Sequence, residues 1–280
     1  MTKRHIIISF IVMTLFSSMT EAEVISKPST PVHLSAEKIV EKNVAARGGL
    51  QAWRAVQSMS MSGKLDAGRL RDKVPSISNT LRKVKLDVSK PMSEGKIIQL
   101  PFTMEMKRPL KLRVEVLFQG ETAVQVYDGN NGWKLRPFIG RHEVEAYTPD
   151  EMKSAAQQQQ LDGFLIDYAV KGTKVTEEGV ELVDGKYAYK LKLTLKDGQI
   201  RHTWVDAQTF LEVKIDDSRR MDGKPRSVMT YLSNYQSVNG LMVPYTLETS
   251  VEGVKDSERI LVEKVSMNPQ LADSRFAKPI

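Results

Sequence analysis

Residues 123–140, AVQVYDGNNGWKLRPFIG, form two short runs of alternating apolar and polar residues that meet at a corner rich in glycine and asparagine. A period of two is typical of β-strands with one buried face, and Asp-Gly or Asn-Gly corners between such runs are typical of hairpins. The corner Asp128–Gly132 could instead bind a phosphate or a metal ion, but the preference of Asp, Asn and Gly for turns alone accounts for its residues. We therefore predict a hairpin whose apolar positions are Val124, Val126, Trp133 and Leu135.

The same pattern recurs along the chain. Further corners of this type lie at Asp184-Gly185, Asp197-Gly198 and Asn239-Gly240. The clearest run, residues 186–196, alternates lysines with an apolar face that includes Leu191 and Leu193. Strands with one apolar and one wet face are typical of antiparallel sheets, so we predict a mainly β fold with helices, in the α+β class. The lysine row either faces solvent or binds a polyanion; because no aromatic residues interleave with the lysines, we predict no nucleic-acid partner.

Helical signals lie at the start of the chain and after the hairpin. Ser35 is a candidate N-cap for a first helix that Gly48-Gly49 ends, and residues 50–56 predict a second short helix. The sequence Thr148-Pro149-Asp150-Glu151 is a capping box with proline at the first helical position. It predicts a third helix over Thr148–Leu161.

The first residues indicate export. Lys3 and Arg4 precede an apolar run, Ile6–Phe16, and small residues follow it up to Ala22. That order is typical of a cleaved secretory signal peptide, because the apolar run falls short of the roughly 20 residues that span a bilayer. An uncleaved anchor is the alternative. The predicted organisation is a signal peptide over residues 1–22, a linker over 23–34 and a single domain over 35–280, interrupted by a polar, basic insert at about 66–95.

The composition excludes cysteine chemistry and bears on the surfaces that the protein contacts. The chain has 41 Lys and Arg against 34 Asp and Glu, a formal net charge of +7, and no cysteine. Disulfides and thiol chemistry are therefore excluded. In an exported protein a basic balance indicates peripheral contact with anionic lipid surfaces rather than with nucleic acid, but a merely solvated, slightly basic surface is the simpler interpretation.

No local motif indicates catalysis. The sequence contains no H-E-x-x-H, G-x-S-x-G, P-loop or calcium-loop pattern, and the histidines beyond the predicted signal peptide lie far apart. Asp216-Asp217 is interpreted as a solvated corner at the end of a strand. Carboxylates that meet only in space are the alternative, but we predict no enzymatic activity, no metal site and no cofactor.

Methionines predict an apolar cavity. Met59 and Met61 share one face of a strand, and Met104 and Met106 share one face of another, which we expect to be its neighbour across the insert. Flexible and polarizable methionine side chains adapt to apolar ligands of varied shape. The alternative is that they only fill irregular gaps in a core.

Arg108 lies in phase with Phe102 and the methionines of the second strand. If that strand stays regular up to Pro109, the guanidinium of Arg108 reaches the margin of the apolar face. Burying such a charge costs several kcal/mol unless the charge is paired. If the strand ends early, Arg108 faces water instead.

Several of these residues together resemble a known family. Lys107-Arg108-Pro109, then Tyr127-Asp128-Gly129-x-x-Gly132-Trp133 with Pro137, resembles the K-R-P and D-G-x-x-x-W core of LolA-like outer-membrane lipoprotein-sorting carriers. The later VDGKYAYKLKLTLKDGQIRHTWVDAQTFLEVKI (residues 183–215) and NYQSVNGLMVPYTLET (234–249) are similar to the C-terminal strands of that family. The resemblance covers Ser35–Pro269 and implies an incomplete antiparallel β-barrel, or half-barrel, with helices plugging its concave face.

The resemblance also implies a function. Proteins of this family shield the acyl chains of a lipid or lipoprotein in the periplasm, and the arginine of the K-R-P motif, here Arg108, holds a lid closed. We accordingly expect a monomeric periplasmic carrier that exchanges cargo with an inner- or outer-membrane transfer protein; the alternative is an envelope sensor or interaction module with the same fold. The predicted lid is the third helix, with Met152, Ala155 and Ala156 on its apolar stripe. The predicted cavity residues are Met59, Met61, Phe102, Met104, Met106, Val114, Val116, Leu191 and Leu193.

Overall fold

The computed structural model describes residues 31–69, 97–137, 140–158, 161–221, 224–255 and 257–280. The helices are α1 (Ala36–Ala46), α2 (Leu50–Ala55) and α3 (Pro149–Gln158), and a short 3₁₀ helix covers Asp273–Phe276. The strands are β1 (Ser58–Arg69), β2 (Ile97–Lys107), β3 (Lys111–Phe118), β4 (Glu121–Tyr127), β5 (Gly132–Arg136), β6 (Arg141–Ala146), β7 (Lys174–Val183), β8 (Lys186–Thr194), β9 (Ile200–Asp206), β10 (Glu212–Met221), β11 (Lys224–Val238), β12 (Leu241–Val251) and β13 (Glu258–Met267).

The strands of the described residues form one thirteen-stranded sheet in the order β6-β5-β4-β3-β2-β1-β13-β12-β11-β10-β9-β8-β7. Within this sheet the twelve pairs of neighbouring strands are antiparallel. The edge strands β6 and β7 do not pair with each other, so the sheet is an open half-barrel. The predicted fold class is confirmed.

The corner at Asp128–Gly132 is a hairpin turn, as predicted. It joins β4 to β5, and Oδ1 of Asp128 accepts hydrogen bonds from the backbone N–H groups of Asn130 and Asn131, each at 2.7 Å. The side chain of Asp128 therefore satisfies two backbone donors of its own turn. Position 132 has no space for a side chain, because a Cβ on Gly132 would lie 2.0 Å from Cδ2 of Tyr147.

The predicted helix starts are also confirmed. Oγ of Ser35 accepts from the N–H of Lys38 at the start of α1. The capping box at α3 forms in both directions: Oγ1 of Thr148 accepts from the N–H of Glu151, and Oε2 of Glu151 accepts from the N–H of Thr148. Helix α3 ends at Gln158, short of the predicted Leu161.

Parts of the predicted organisation lie outside the described residues. These parts are the signal peptide, most of the linker and the insert from residue 70 onward. Strand β1 continues to Arg69, four residues into the predicted insert.

One face of the sheet, called here the inner face, is covered by α1, α2 and residues 161–173, called here the cover segment. Helix α1 packs on β8 and β9, where Ile39 and Leu191 are both 0 % exposed. Helix α2 and the cover segment pack on β1 and β12, where Trp53 and Ile166 are 1 % and 0 % exposed. The opposite, outer face of β4 and β5 is covered by the C-terminal segment through Phe276, which is 1 % exposed.

Candidate functional site

A cavity of about 390 Å³ lies between the inner face and the elements that cover it. Its apolar wall includes five of the predicted residues: Met59, Met61, Phe102, Met104 and Met106. Strands β1 and β2 are neighbours, and Met59 pairs with Met106 while Met61 pairs with Met104. The predicted adjacency of the two methionine pairs is confirmed.

The other predicted cavity residues lie on the inner face but away from this cavity. Val114 and Val116 on β3 are directly opposite Met104 and Phe102, yet they are not part of the lining. Leu191 and Leu193 are 0 % and 1 % exposed because α1 packs directly on them. The sheet therefore has a sealed region under α1 and a hollow region beside it.

Among the described residues, the cover segment and not α3 forms the wall of this cavity opposite the sheet. Leu161, Gly163 and Phe164 line it. The predicted lid residues Met152, Ala155 and Ala156 of α3 are not among the lining residues. Helix α3 packs near β5 instead, where Glu151 forms an ion pair with Lys134.

Arg108 points to the inner side, as the regular-strand prediction requires. Its Nε donates to the carbonyl oxygen of Val56 at 2.8 Å, and its Nη2 donates to the carbonyl oxygen of Trp53 at 3.3 Å. Nη2 also donates to Oδ2 of Asp162 at 2.8 Å. Arg108 therefore joins the end of α2 to the cover segment.

Asp162 is the centre of this arrangement, with a side chain only 3 % exposed. Its Oδ1 accepts from Nζ of Lys171 at 2.7 Å, and its backbone carbonyl accepts from Nη1 of Arg47 at 2.8 Å. Burial raises the pKa of Asp162, but the hydrogen bonds from Lys171 and Arg108 outweigh burial and hold the pKa below the ordinary value of an aspartate. The carboxyl group is therefore ionised and is matched by two cations.

A second contact ties the cover segment to α2. Nε and Nη2 of Arg54 donate to the two carboxylate oxygens of Asp167, in a paired geometry at 2.8 and 2.5 Å. This pair is partly exposed, since the side chains of Arg54 and Asp167 are 45 % and 19 % exposed. Exposed pairs of this kind are weak, so Asp162 is the main anchor of the segment.

The wall of the cavity under β9 and β10 is ionic. Arg47, Arg201 and Glu212 line it and are 7 %, 4 % and 5 % exposed. Nη1 of Arg47 lies 3.7 Å from Oε2 of Glu212, and Nη2 of Arg201 lies 3.4 Å from Oδ1 of Asp217. The guanidinium of Arg201 stacks on the ring of Phe164, 4.5 Å from its centroid.

The interpretation of Asp216-Asp217 as a solvated corner at the end of a strand is wrong. Strand β10 continues to Met221, so both aspartates lie within it. Asp216 bonds to His202, and Asp217 faces the cavity with a side chain 12 % exposed. The ionic wall was missed because no local motif marks it. The available signal was the phase of Arg201, which is two and four residues from the buried Thr203 and Val205.

The described parts of the chain contain no group of three or more His, Cys, Asp or Glu residues placed to hold a metal ion. None of their helices is long and apolar enough to cross a bilayer.

The fold is that of the LolA-like proteins. The structure of a LolA superfamily protein from Nitrosomonas europaea matches with a TM-score of 0.55 at 14 % identity, over 88 % of this chain and 99 % of that chain. A DUF1329 family protein from Desulfovibrio piger matches with a TM-score of 0.53 at 14 % identity, over 86 % and 97 % of the two chains. A domain described as an outer membrane lipoprotein-sorting protein, from Vibrio parahaemolyticus, matches with a TM-score of 0.50 at 12 % identity, over 87 % and 97 %.

Sequence comparison adds nothing to this result. No family model matches the chain, and no curated protein matches it. At identities of 12–14 % the structural likeness establishes the fold alone.

Proposed function

We propose that this protein is a periplasmic carrier that binds an acyl chain of a lipid or lipoprotein in the cavity and passes it on toward the outer membrane. The observation that carries the proposal is the cavity itself, which is walled by methionines and Phe102 on the sheet side and bordered by the cover segment opposite. Its volume of about 390 Å³ lies in the range of small-molecule pockets, roughly 300–1,000 Å³. The likeness to a lipoprotein-sorting domain supports the same class of ligand.

The energetics favour an apolar cavity over a charged surface as the binding site of an acyl chain. At about 0.8 kcal/mol for each buried methylene, moving an acyl chain of roughly a dozen methylenes out of water contributes about 10 kcal/mol. Binding of that strength requires a means of release.

The contacts of Asp162 supply such a means in this proposal. Arg108 connects the strand that carries the cavity methionines to the cover segment through one carboxylate. In this proposal, a contact that can break and re-form loosens the wall formed by Leu161 and Phe164, while Lys171 and Arg47 still hold Asp162. Arg108 is thus the proposed latch, and the cover segment is the proposed lid.

Extraction tests the binding step. The mature protein, purified under native conditions without detergent, should release acyl lipid into organic solvent, and mass spectrometry should detect it in a stoichiometric amount. A folded protein that carries no lipid, and that fails to bind a fluorescent fatty acid, would reject the carrier and favour a sensor or interaction module with the same fold.

Arg108→Leu tests the latch. We expect this variant to retain ligand and to transfer it more slowly to acceptor vesicles of phosphatidylethanolamine and phosphatidylglycerol, because the switchable contact to Asp162 is replaced by an apolar one. Lys107→Leu is the matched control: it removes the same charge from the adjacent residue, which bonds to Leu271 and Asp273 on the outer face. Equal transfer rates for the two variants would reject the latch.

A further inference from the structure

Exposed apolar side chains are concentrated at one end of the sheet. Because neighbouring strands are antiparallel, the starts of β7, β9 and β13 lie at the same end as the last residues of β3, β8 and β12. This is the end at which the cover segment enters β7, and it is called here the lid end. Among the described residues and away from their two termini, the exposed large hydrophobic side chains are Leu117, Val170, Leu182, Ile200 and Val254. All of them except Leu182 lie at the lid end.

Val170 belongs to the proposed lid itself. It is 81 % exposed, and it directly precedes Lys171. Nζ of Lys171 donates to Oδ1 of Asp162 at 2.7 Å and to the carbonyl oxygen of Gly163 at 2.6 Å. A single exposed apolar residue is ordinary on a protein surface, but this one is next to a contact that holds the cover segment. A partner that binds Val170 therefore binds beside the anchor of the lid.

Basic side chains accompany the apolar ones. Lys174, Thr194 and Ile200 are successive Cα partners across β7, β8 and β9, so two strand spacings, roughly 10 Å, separate Lys174 from Ile200. A Cβ on Gly172 would lie 3.3 Å from the Cβ of Lys196, so Lys196 is beside the end of the cover segment. Both lysines are exposed.

The basic character continues along the turns of β8–β13. In the β10–β11 hairpin the backbone register pairs Arg219 with Arg226, and Lys255 follows Val254 in the β12–β13 turn. Lys174 and the turn sequences 195–199, 218–227 and 252–257 contain seven basic and four acidic residues, a formal charge of 7 − 4 = +3. This part of the lid end therefore suits an anionic surface.

We infer that the lid end is the surface with which this protein contacts an anionic phospholipid bilayer. Val170, Ile200 and Val254 enter the membrane interface, and the basic residues lie among the lipid phosphates. Apolar side chains flanked by lysine and arginine favour binding at such an interface. An acidic protein partner would be attracted by the same charges, but apolar residues on separate turns do not form the single compact patch that a protein interface buries.

The cavity supports this orientation. Its lining reaches Ile260, the third residue of β13 counted from the lid end. Contact with a bilayer at the lid end therefore brings the cover segment and one end of the apolar lining to the membrane that receives the ligand. The inference rests on the proposed function for its purpose and adds the surface through which the ligand is transferred.

Vesicle flotation tests the contact in the absence of ligand. The mature protein, freed of lipid, is mixed with vesicles of phosphatidylethanolamine and phosphatidylglycerol, or with vesicles of phosphatidylcholine alone. We expect it to float with the phosphatidylglycerol vesicles at low salt and to be released at high salt, because salt screens exposed charges. Absence of flotation with the anionic vesicles, or equal flotation with both kinds, would overturn the inference.

Matched variants locate the contact. Val170→Ser should lower partitioning onto the anionic vesicles about fivefold. Leu182→Ser is its control, because Leu182 is 62 % exposed at the opposite end of the sheet, and it should have no effect. Lys174→Gln should also lower partitioning about fivefold, whereas Lys186→Gln, at an exposed lysine of the opposite end, should not.

The outcomes separate this inference from the proposed function. Equal partitioning within either matched pair would overturn the contact and leave the carrier standing. A protein that floats with the vesicles but binds no fluorescent fatty acid would reject the carrier and leave the contact standing. If Val170→Ser also loses fatty-acid binding, the lid has been damaged, and Ile200→Ser, which changes a residue outside the lid, then decides: unchanged flotation of that variant would overturn the inference.

Discussion

Replacing Asp162 with Asn tests the anchor of the cover segment. The carboxylate accepts two charge-assisted hydrogen bonds, from Arg108 at 2.8 Å and Lys171 at 2.7 Å. The substitution keeps the backbone carbonyl that accepts from Arg47. It also keeps nearly the same side-chain volume, so the change is one of charge and hydrogen bonding.

The expected loss follows from these contacts. Hydrogen bonds to charged groups contribute about 1.5–3 kcal/mol each, and breaking a buried pair at one partner costs about 3–5 kcal/mol. Two features reduce this expected loss of stability. The side chains of Arg108 and Lys171 are 29 % and 20 % exposed, so water screens part of their charge. In addition, the amide oxygen of Asn still accepts one hydrogen bond. We therefore expect Asp162→Asn to lower the free energy of unfolding by about 2–3 kcal/mol.

The pKa of Asp162 determines how this loss of stability depends on pH. The pKa of Asp162 is lower in the folded chain than its ordinary value. The stabilisation is therefore fully present above the pKa of an unfolded aspartate, about 3.9, and it is lost as the pH falls through the lower folded pKa. The difference between the two proteins should be constant near neutral pH and should shrink in acid.

Urea denaturation at a series of pH values measures this difference. Asp167→Asn is the control, because it removes the same charge from the same segment at the more exposed pair with Arg54, and it should cost less. A difference of zero at neutral pH, or one that does not change in acid, would refute the assignment of Asp162 as the anchor.

Two further substitutions test the framework around the site. Gly132→Ala should cost about 1–3 kcal/mol of stability, because the new Cβ would lie 2.0 Å from Tyr147; a thermal melt measures it, and a double-mutant cycle with Tyr147→Ala should show strong coupling. Phe276→Ala should cost about 3–5 kcal/mol, because its ring is 1 % exposed against Val124 and Val126; an unchanged urea midpoint would mean that the C-terminal segment does not hold the outer face.

The alternation of residues predicted which side of each strand is buried, and it did so well. It placed the methionine pairs on one wall, oriented Arg108 toward the inner face and identified the hairpin at Asp128–Gly132. These features depend on residues close together in sequence, or on neighbouring strands. A period of two is enough to define them.

What covers each wall could not be predicted in the same way. Leu191 has the same pattern as the cavity residues, but α1, more than 140 residues earlier in the chain, packs on it. Asp162 follows the end of a helix, where a charged residue ordinarily faces water, and its partners Arg108 and Arg47 come from distant elements. Tertiary packing decides both cases, and local periodicity contains no information about it.

The strand order has a mechanical consequence. Strands β1–β6 lie on one side of the β1–β13 junction and β7–β13 lie on the other, so the two edge strands, β6 and β7, are consecutive in the chain. The peptide that joins them, residues 147–173, contains α3 and the cover segment. It runs from one edge of the open sheet to the other, so the segment that borders the cavity is covalently tied to both edge strands.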